Sequence, residues 1–121
     1  MKKILIVEDE PDFRNVLYEF LEYKGYDVLV AINGKEALKI IEQNGLPDIV
    51  LTDLIMEEME GIELISVLKN MKKDIKILVM SGGGKINADS YFKIVKAIGV
   101  SGMLKKPFKL DELLKLVEEN I

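Results

Sequence analysis

Short apolar runs alternate along the chain with stretches in which apolar residues recur every three or four positions. The runs at 4–7, 26–31, 48–53, 75–80 and 103–105 are too short and too continuous for amphipathic helices, and they predict strands. Between the first two, Phe13, Val16, Leu17, Phe20 and Leu21 fall at i, i+3, i+4, i+7 and i+8 and predict a helix. Ala37, Leu38 and Ile41 mark a second helix, and Leu64, Val67, Leu68 and Met71 a third. Tyr91, Ile94, Val95 and Ile98 mark a fourth, and Leu110, Leu113, Leu114 and Val117 a fifth. The punctuation agrees with this reading. Pro11 suits a first helical turn, Gly25 and Gly99 suit helix ends, and Asn33 followed by Glu36 has the spacing of a capping box.

Five strands in strict alternation with five helices predict an α/β fold with a parallel sheet, right-handed crossovers and helices on both faces. The first, third and fourth strands are the most apolar and belong in the centre. The second, which carries Asp27, and the short fifth belong at the edges. The expected architecture is therefore a flavodoxin-like three-layer α/β/α sandwich of strand order 2-1-3-4-5, with its switch point between strands one and three. No repeat or internal linker interrupts it, so residues 1–121 are read as one domain.

Composition narrows the chemistry more than it changes the fold. Lys and Arg number 17 against 21 Asp and Glu, a net charge of -4, which argues against direct nucleic-acid binding. The absence of cysteine removes disulfides and thiolate metal sites and fits a reducing, cytoplasmic setting. The absence of histidine removes imidazole bases and most zinc chemistry. The apolar run after Met1-Lys2-Lys3 stops at Glu8, well short of the ~7–15 residues of a signal-peptide core, and nothing approaches a membrane span of ~20. Carboxylates, hydroxyls and amines are left to do the work.

These groups gather at the strand ends. Strand one ends in Glu8-Asp9, strand three in Asp53, strand four in Ser81 and strand five in Lys106. In a parallel sheet all four ends share one edge, where open α/β folds bind ligands, and strands one and three are neighbours. An aspartate closing a strand is in itself more often a turn former; the charged company of Asp53 is what points elsewhere. Two carboxylates ~5 Å apart repel by about 3 kcal/mol at an effective dielectric of 20, so three of them call for cations. Lys106 supplies one, and a hard divalent ion, Mg²⁺ or Mn²⁺, suits the all-oxygen donor set. With Ser81 as a further hydrogen-bond donor, the set suits phosphoryl transfer onto Asp53 as nucleophile.

In this order and spacing, Ile4-Leu5-Ile6-Val7-Glu8-Asp9-Glu10, Asp53 through Met56, Met59-Glu60-Gly61, Ser81 and Lys106-Pro107-Phe108 resemble a response-regulator receiver domain over nearly the whole chain. The resemblance implies Asp53 as phosphoacceptor, Asp9 as a direct Mg²⁺ ligand, Glu8 as a partner through water and the Ile55 backbone carbonyl as a further ligand. It implies Ser81 as the switch hydroxyl, Lys106 as the phosphate-binding cation and a cis Lys106–Pro107 bond. The donor would be a sensor histidine kinase or phosphotransfer protein, and the recipient of the signal a downstream protein. The chain would catalyse its own phosphorylation and dephosphorylation without being a turnover enzyme. Three positions depart from the family pattern: Glu57 stands where proline is usual, Gly82 where alanine is usual, and Met103 where an aromatic reports the switch. Ile55 and Gly83 occupy positions that screen or admit the attacking water, and the apolar Ile55 implies a longer-lived phosphate.

Other readings fit less well. Gly82-Gly83-Gly84-Lys85 looks like a phosphate loop, but Val79 replaces its first glycine and Ile86 its Ser/Thr. A flavin carrier would place Glu8-Asp9-Glu10 against an anion, and an aspartyl-phosphate hydrolase would want an acid where Ile55 stands. A receiver-like scaffold that binds partners without phosphorylation is the main alternative, motivated by Glu57 and Met103. No DNA-binding segment follows the last helix, so either a stand-alone regulator or a domain of a longer chain is expected, as a monomer or a phosphorylation-dependent dimer.

Overall fold

The computed structural model describes residues 1–54, 61–82, 93 and 96–121. Along the chain run β1 (Lys3–Val7), α1 (Pro11–Tyr23), β2 (Asp27–Ala31), α2 (Gly34–Asn44), β3 (Ile49–Asp53), α3 (Gly61–Met71), β4 (Lys76–Ser81), β5 (Gly102–Lys105) and α4 (Leu110–Glu119). All strand pairings are parallel and the order is β2-β1-β3-β4-β5, the flavodoxin-like arrangement expected. Of the helix expected between β4 and β5, Lys93 and residues 96–98 are described and are helical. Tyr91, Ile94 and Val95 lie outside the described residues.

Alternation along each strand divides the core in two. Leu5, Val7, Val50, Ile77 and Val79 pack with α2 and α3 residues on one face. Ile4, Ile6, Ile49, Leu51, Leu78, Met80 and Leu104 pack on the other with Leu17 and Leu21 of α1 and Leu113 and Val117 of α4. Continuing the second series along β1 and β3 reaches Glu8 and Asp53. The same period of two that buries these isoleucines turns both acids toward the layer of α1 and α4.

The helix ends follow the sequence signals with one refinement. Pro11 opens α1, and Gly25 follows it at φ 96°, a left-handed conformation that glycine adopts without strain. The Asn33 side chain accepts from the Glu36 N–H at 2.8 Å, while Glu36 reaches back to the Ile32 N–H rather than to that of Asn33. Two of the positions that carry the helical spacing are exposed. Val16 is 48% and Met71 53% accessible, because the inner stripe of α1 centres on Leu17 and Leu21, and that of α3 on Leu64, Ile65 and Leu68.

Gly61 fixes how α3 meets the sheet. A Cβ there would lie 2.3 Å from the Asp53 carbonyl oxygen and 2.6 Å from the Leu54 Cα, both backbone atoms that cannot swing aside. The Gly61 N–H meanwhile donates to the Leu54 carbonyl at 2.9 Å. Gly61→Ala is expected to destabilise the fold by about 2–3 kcal/mol, through overpacking against rigid backbone. Chemical denaturation checks this, and an unchanged midpoint would show that α3 is free to shift.

Candidate functional site

The site sits where β1, β3 and β5 end. Val7 pairs with Thr52, so one further step of that register sets Glu8 beside Asp53. Both are buried, at 1% and 8% exposure, whereas Asp9, the next residue in a turning chain, is exposed. One carboxylate oxygen from each of Glu8, Asp9 and Asp53 falls within 4.8 Å of the others. β4 lies between β3 and β5, and Lys106 follows β5 with its N–H donating to the Ser81 carbonyl at 2.7 Å. Its side chain reaches back across the sheet edge, and Nζ donates to Glu8 Oε1 at 2.7 Å and Asp53 Oδ2 at 3.0 Å. The Lys106–Pro107 bond is cis, as expected.

Three carboxylates against one ammonium leave two negative charges in excess if all are ionised. The donors are all oxygen, so the cluster fits a hard dication such as Mg²⁺. The surrounding contacts sort the ligands. Both Glu8 oxygens are engaged, Oε1 by Lys106 and Oε2 by the Glu10 N–H at 3.1 Å, whereas the neighbouring Asp9 carboxylate is exposed and is the better placed of the two to touch an ion directly. The Ile55 carbonyl, expected to complete the set, lies outside the described residues, as do Glu57 and Gly83.

Burial pushes the Glu8 carboxyl above its usual value. The hydrogen bonds from Lys106 and the Glu10 N–H oppose this, and the Asp53 charge adds to it. For Lys106 burial pulls downward, but the hydrogen bond to Glu8 and the charge and hydrogen bond of Asp53 outweigh it, so the ammonium is held more firmly than an ordinary lysine. A raised acid means that ionised Glu8 costs stability at neutral pH, and that this cost is relieved as pH falls through its folded value. Glu8→Gln is therefore expected to melt no lower than the native chain at pH 7 without metal, and its advantage should shrink as pH approaches 4.5. It should also bind Mg²⁺ about tenfold more weakly, as loss of an outer partner does. Paired melts across pH, with Mg²⁺ titrations, check both halves.

Ser81 is buried, and its hydroxyl donates to the Gly82 carbonyl at 3.5 Å, the outer limit of a hydrogen bond. Met103 is half-buried and packs on the α2/α3 side of the core.

Three neighbours of the site, Arg14, Glu10 and Phe13, take parts that the sequence reading did not assign. Arg14, one turn into α1, donates to the Glu8 carbonyl at 2.9 Å and to the Asp9 carbonyl at 3.4 Å, bracing the loop that carries both acids. Glu10 caps the same helix by accepting from the Asp12 and Phe13 N–H groups. The Phe13 ring lies 4.7 Å below the Lys106 ammonium, within cation–π range. Phe13 carries only a helical-period signal in the sequence, and Arg14 carries none. A basic residue five positions after a strand-end acid could have suggested the bracing.

Comparison with known proteins identifies the family. The response regulator receiver domain family matches residues 4–118. Sporulation initiation phosphotransferase F from Bacillus subtilis is 32% identical over 98% of this chain and 92% of its own length. Sensor kinase CckA from Brucella abortus is 38% identical over 96% of this chain, which spans only 12% of that kinase. Among solved structures, the response regulator protein TrrA from Thermotoga maritima, in complex with Mg²⁺-BeF, superposes over the full length of both chains with TM-score 0.86 and 33% identity.

Proposed function

Since the chain belongs to the response regulator receiver domain family, a signalling module of two-component systems and not a turnover enzyme on an external substrate, we propose that residues 1–121 form a receiver domain that accepts a phosphoryl group on Asp53. The observation that carries this reading is the single Lys106 ammonium held between Glu8 and Asp53, 2.7 and 3.0 Å away, beside an exposed Asp9.

An Asp53 carboxylate oxygen attacks phosphorus, the P–N bond of a phosphohistidine breaks, and its electron pair leaves with the imidazole, giving an acyl phosphate. Lys106 exchanges its carboxylate partners for a phosphoryl oxygen, and its raised pKa keeps it cationic throughout. Asp9 and Asp53, with Glu8 through water and the Ile55 carbonyl, would hold Mg²⁺ (or Mn²⁺), which supplies charge neutralisation on the incoming oxygens. Ser81 turns from the Gly82 carbonyl to donate to another phosphoryl oxygen. That rotation alters affinity for a downstream protein.

Receiver domains interact with histidine kinases or phosphotransfer proteins, and here the donor is a sensor histidine kinase or such a phosphotransfer protein. We place the signalling in the cytoplasm, with the chain a monomer or a phosphorylation-dependent dimer. Among the described residues no helix is long and apolar enough to cross a membrane. The Thermotoga maritima regulator, similar over the full length of both chains, was solved in complex with Mg²⁺-BeF, which supports this reading. Intact-mass measurement after incubation with a small phosphodonor tests the proposal. One added phosphoryl group, dependent on Mg²⁺ and lost with a chelator, is expected; an unmodified mass under both conditions refutes it.

A further inference from the structure

Beside the carboxylates lies an open cleft of ≈ 410 Å³ whose walls are Phe13, Lys106, Pro107 and Phe108. Three of the four present carbon. The two rings meet edge to face, 5.7 Å between centroids and 71° between planes, and lie on separate elements, α1 and the segment after β5. Among the described lining residues Lys106 is the only charge, and its ammonium also reaches Asp53. An apolar recess abutting an anion-handling site is not needed to bind phosphate, whose oxygens seek Lys106. It suits the other half of a phosphodonor.

Resting on Asp53 as phosphoacceptor, we propose that this cleft is the subsite for the leaving group, selective for flat aromatic rings of imidazole size over small polar leaving groups such as acetate. A phosphoryl group seated on Lys106 has the cleft as its immediate neighbour. A ring attached to it gains edge or face contact with Phe13 and Phe108 and loses water from both its faces, whereas an acetyl group gains little from carbon walls. In the transfer the Asp53 oxygen–phosphorus bond forms as the phosphorus–nitrogen bond breaks. The ring departs with that electron pair, as neutral imidazole when its far nitrogen carries a proton.

The test compares initial rates of Asp53 labelling by N-phosphoimidazole and by acetyl phosphate, both with Mg²⁺ and below saturation. The ratio of the two rates is the readout, because any loss in the placement of Lys106 or Asp53 affects both donors and cancels. Phe13→Ala is expected to lower the imidazole-to-acetyl ratio about tenfold and Phe108→Ala several-fold, the worth of an aromatic contact. Phe13→Tyr, which keeps the ring face, restores the ratio. Phe13→Leu keeps the apolar filling where the alanine variant melts, and it should lower the ratio in the same direction. A ratio within twofold of the native chain in both Phe13→Ala and Phe13→Leu overturns the subsite. Labelling of the native chain by neither donor overturns the phosphoacceptor reading itself, a result distinguishable from the first.

Discussion

Asp53→Ala is expected to take up no phosphoryl group from any donor, a fall of at least ~10³-fold in labelling rate, while folding as well as the native chain or better. Both halves follow from the same geometry. Asp53 is 8% exposed, ends a fully buried strand and faces Lys106 at 3.0 Å, and in the proposed reaction its oxygen is the one that attacks phosphorus. Yet it is also one of three acids within 4.8 Å, and its removal relieves repulsion while leaving the Lys106–Glu8 pair intact. Residual labelling would place the nucleophile elsewhere. A large drop in melting temperature would mean that the Asp53 carboxylate stabilises the fold, against this account. Mass spectrometry and a metal-free thermal melt separate the two.

Lys106→Met should have the opposite stability effect. The substitution keeps an apolar stem over Phe13 but leaves Glu8, 1% exposed, and Asp53 facing each other without the cation. Stranding buried charge by removing one partner costs about 3–5 kcal/mol where both are fully buried. With the Lys106 side chain 23% exposed, about 2–3 kcal/mol is expected. For a domain of this size that is on the order of 8–12 °C in melting temperature. The sign of the pH dependence distinguishes this cause from lost packing. Without Lys106 the Glu8 carboxyl, already raised by burial, is pushed higher still in the folded state, so the deficit is largest at neutral pH and shrinks as pH falls and Glu8 takes a proton. A deficit independent of pH would assign the loss to packing. Phosphoryl uptake should fall about hundredfold as well, from loss of a preorganised donor on the transferring oxygens.

The juxtaposition on which both predictions rest was legible in the chain because a strand has a period of two. Once Ile4, Ile6, Ile49 and Leu51 are assigned to one buried face and β1 placed beside β3, Glu8 and Asp53 have no other place to be. Lys106 was legible for a related reason, as a residue just past a strand in a sheet whose ends all point one way. Long side chains that double back carry no such period. Arg14 crosses to the carbonyls of Glu8 and Asp9, and the direction of the Phe13 ring depends on where Lys106 and Phe108 arrive from the far end of the chain. Helical periodicity likewise names a stripe without fixing its centre. Val16 and Met71 fit the spacing and still face solvent, one because α1 rolls toward Leu17 and Leu21, the other because it closes α3 beyond Leu68.

Chemical trapping of the phosphorylated residue tests the central claim most directly. After labelling with a phosphodonor and Mg²⁺, borohydride reduces an aspartyl phosphate to homoserine, and peptide sequencing by mass spectrometry locates it. Homoserine at position 53, absent when donor or Mg²⁺ is withheld, is the predicted result. Homoserine at position 9 or any other aspartate, or a phosphoryl group retained through reduction on a serine or threonine, would contradict it.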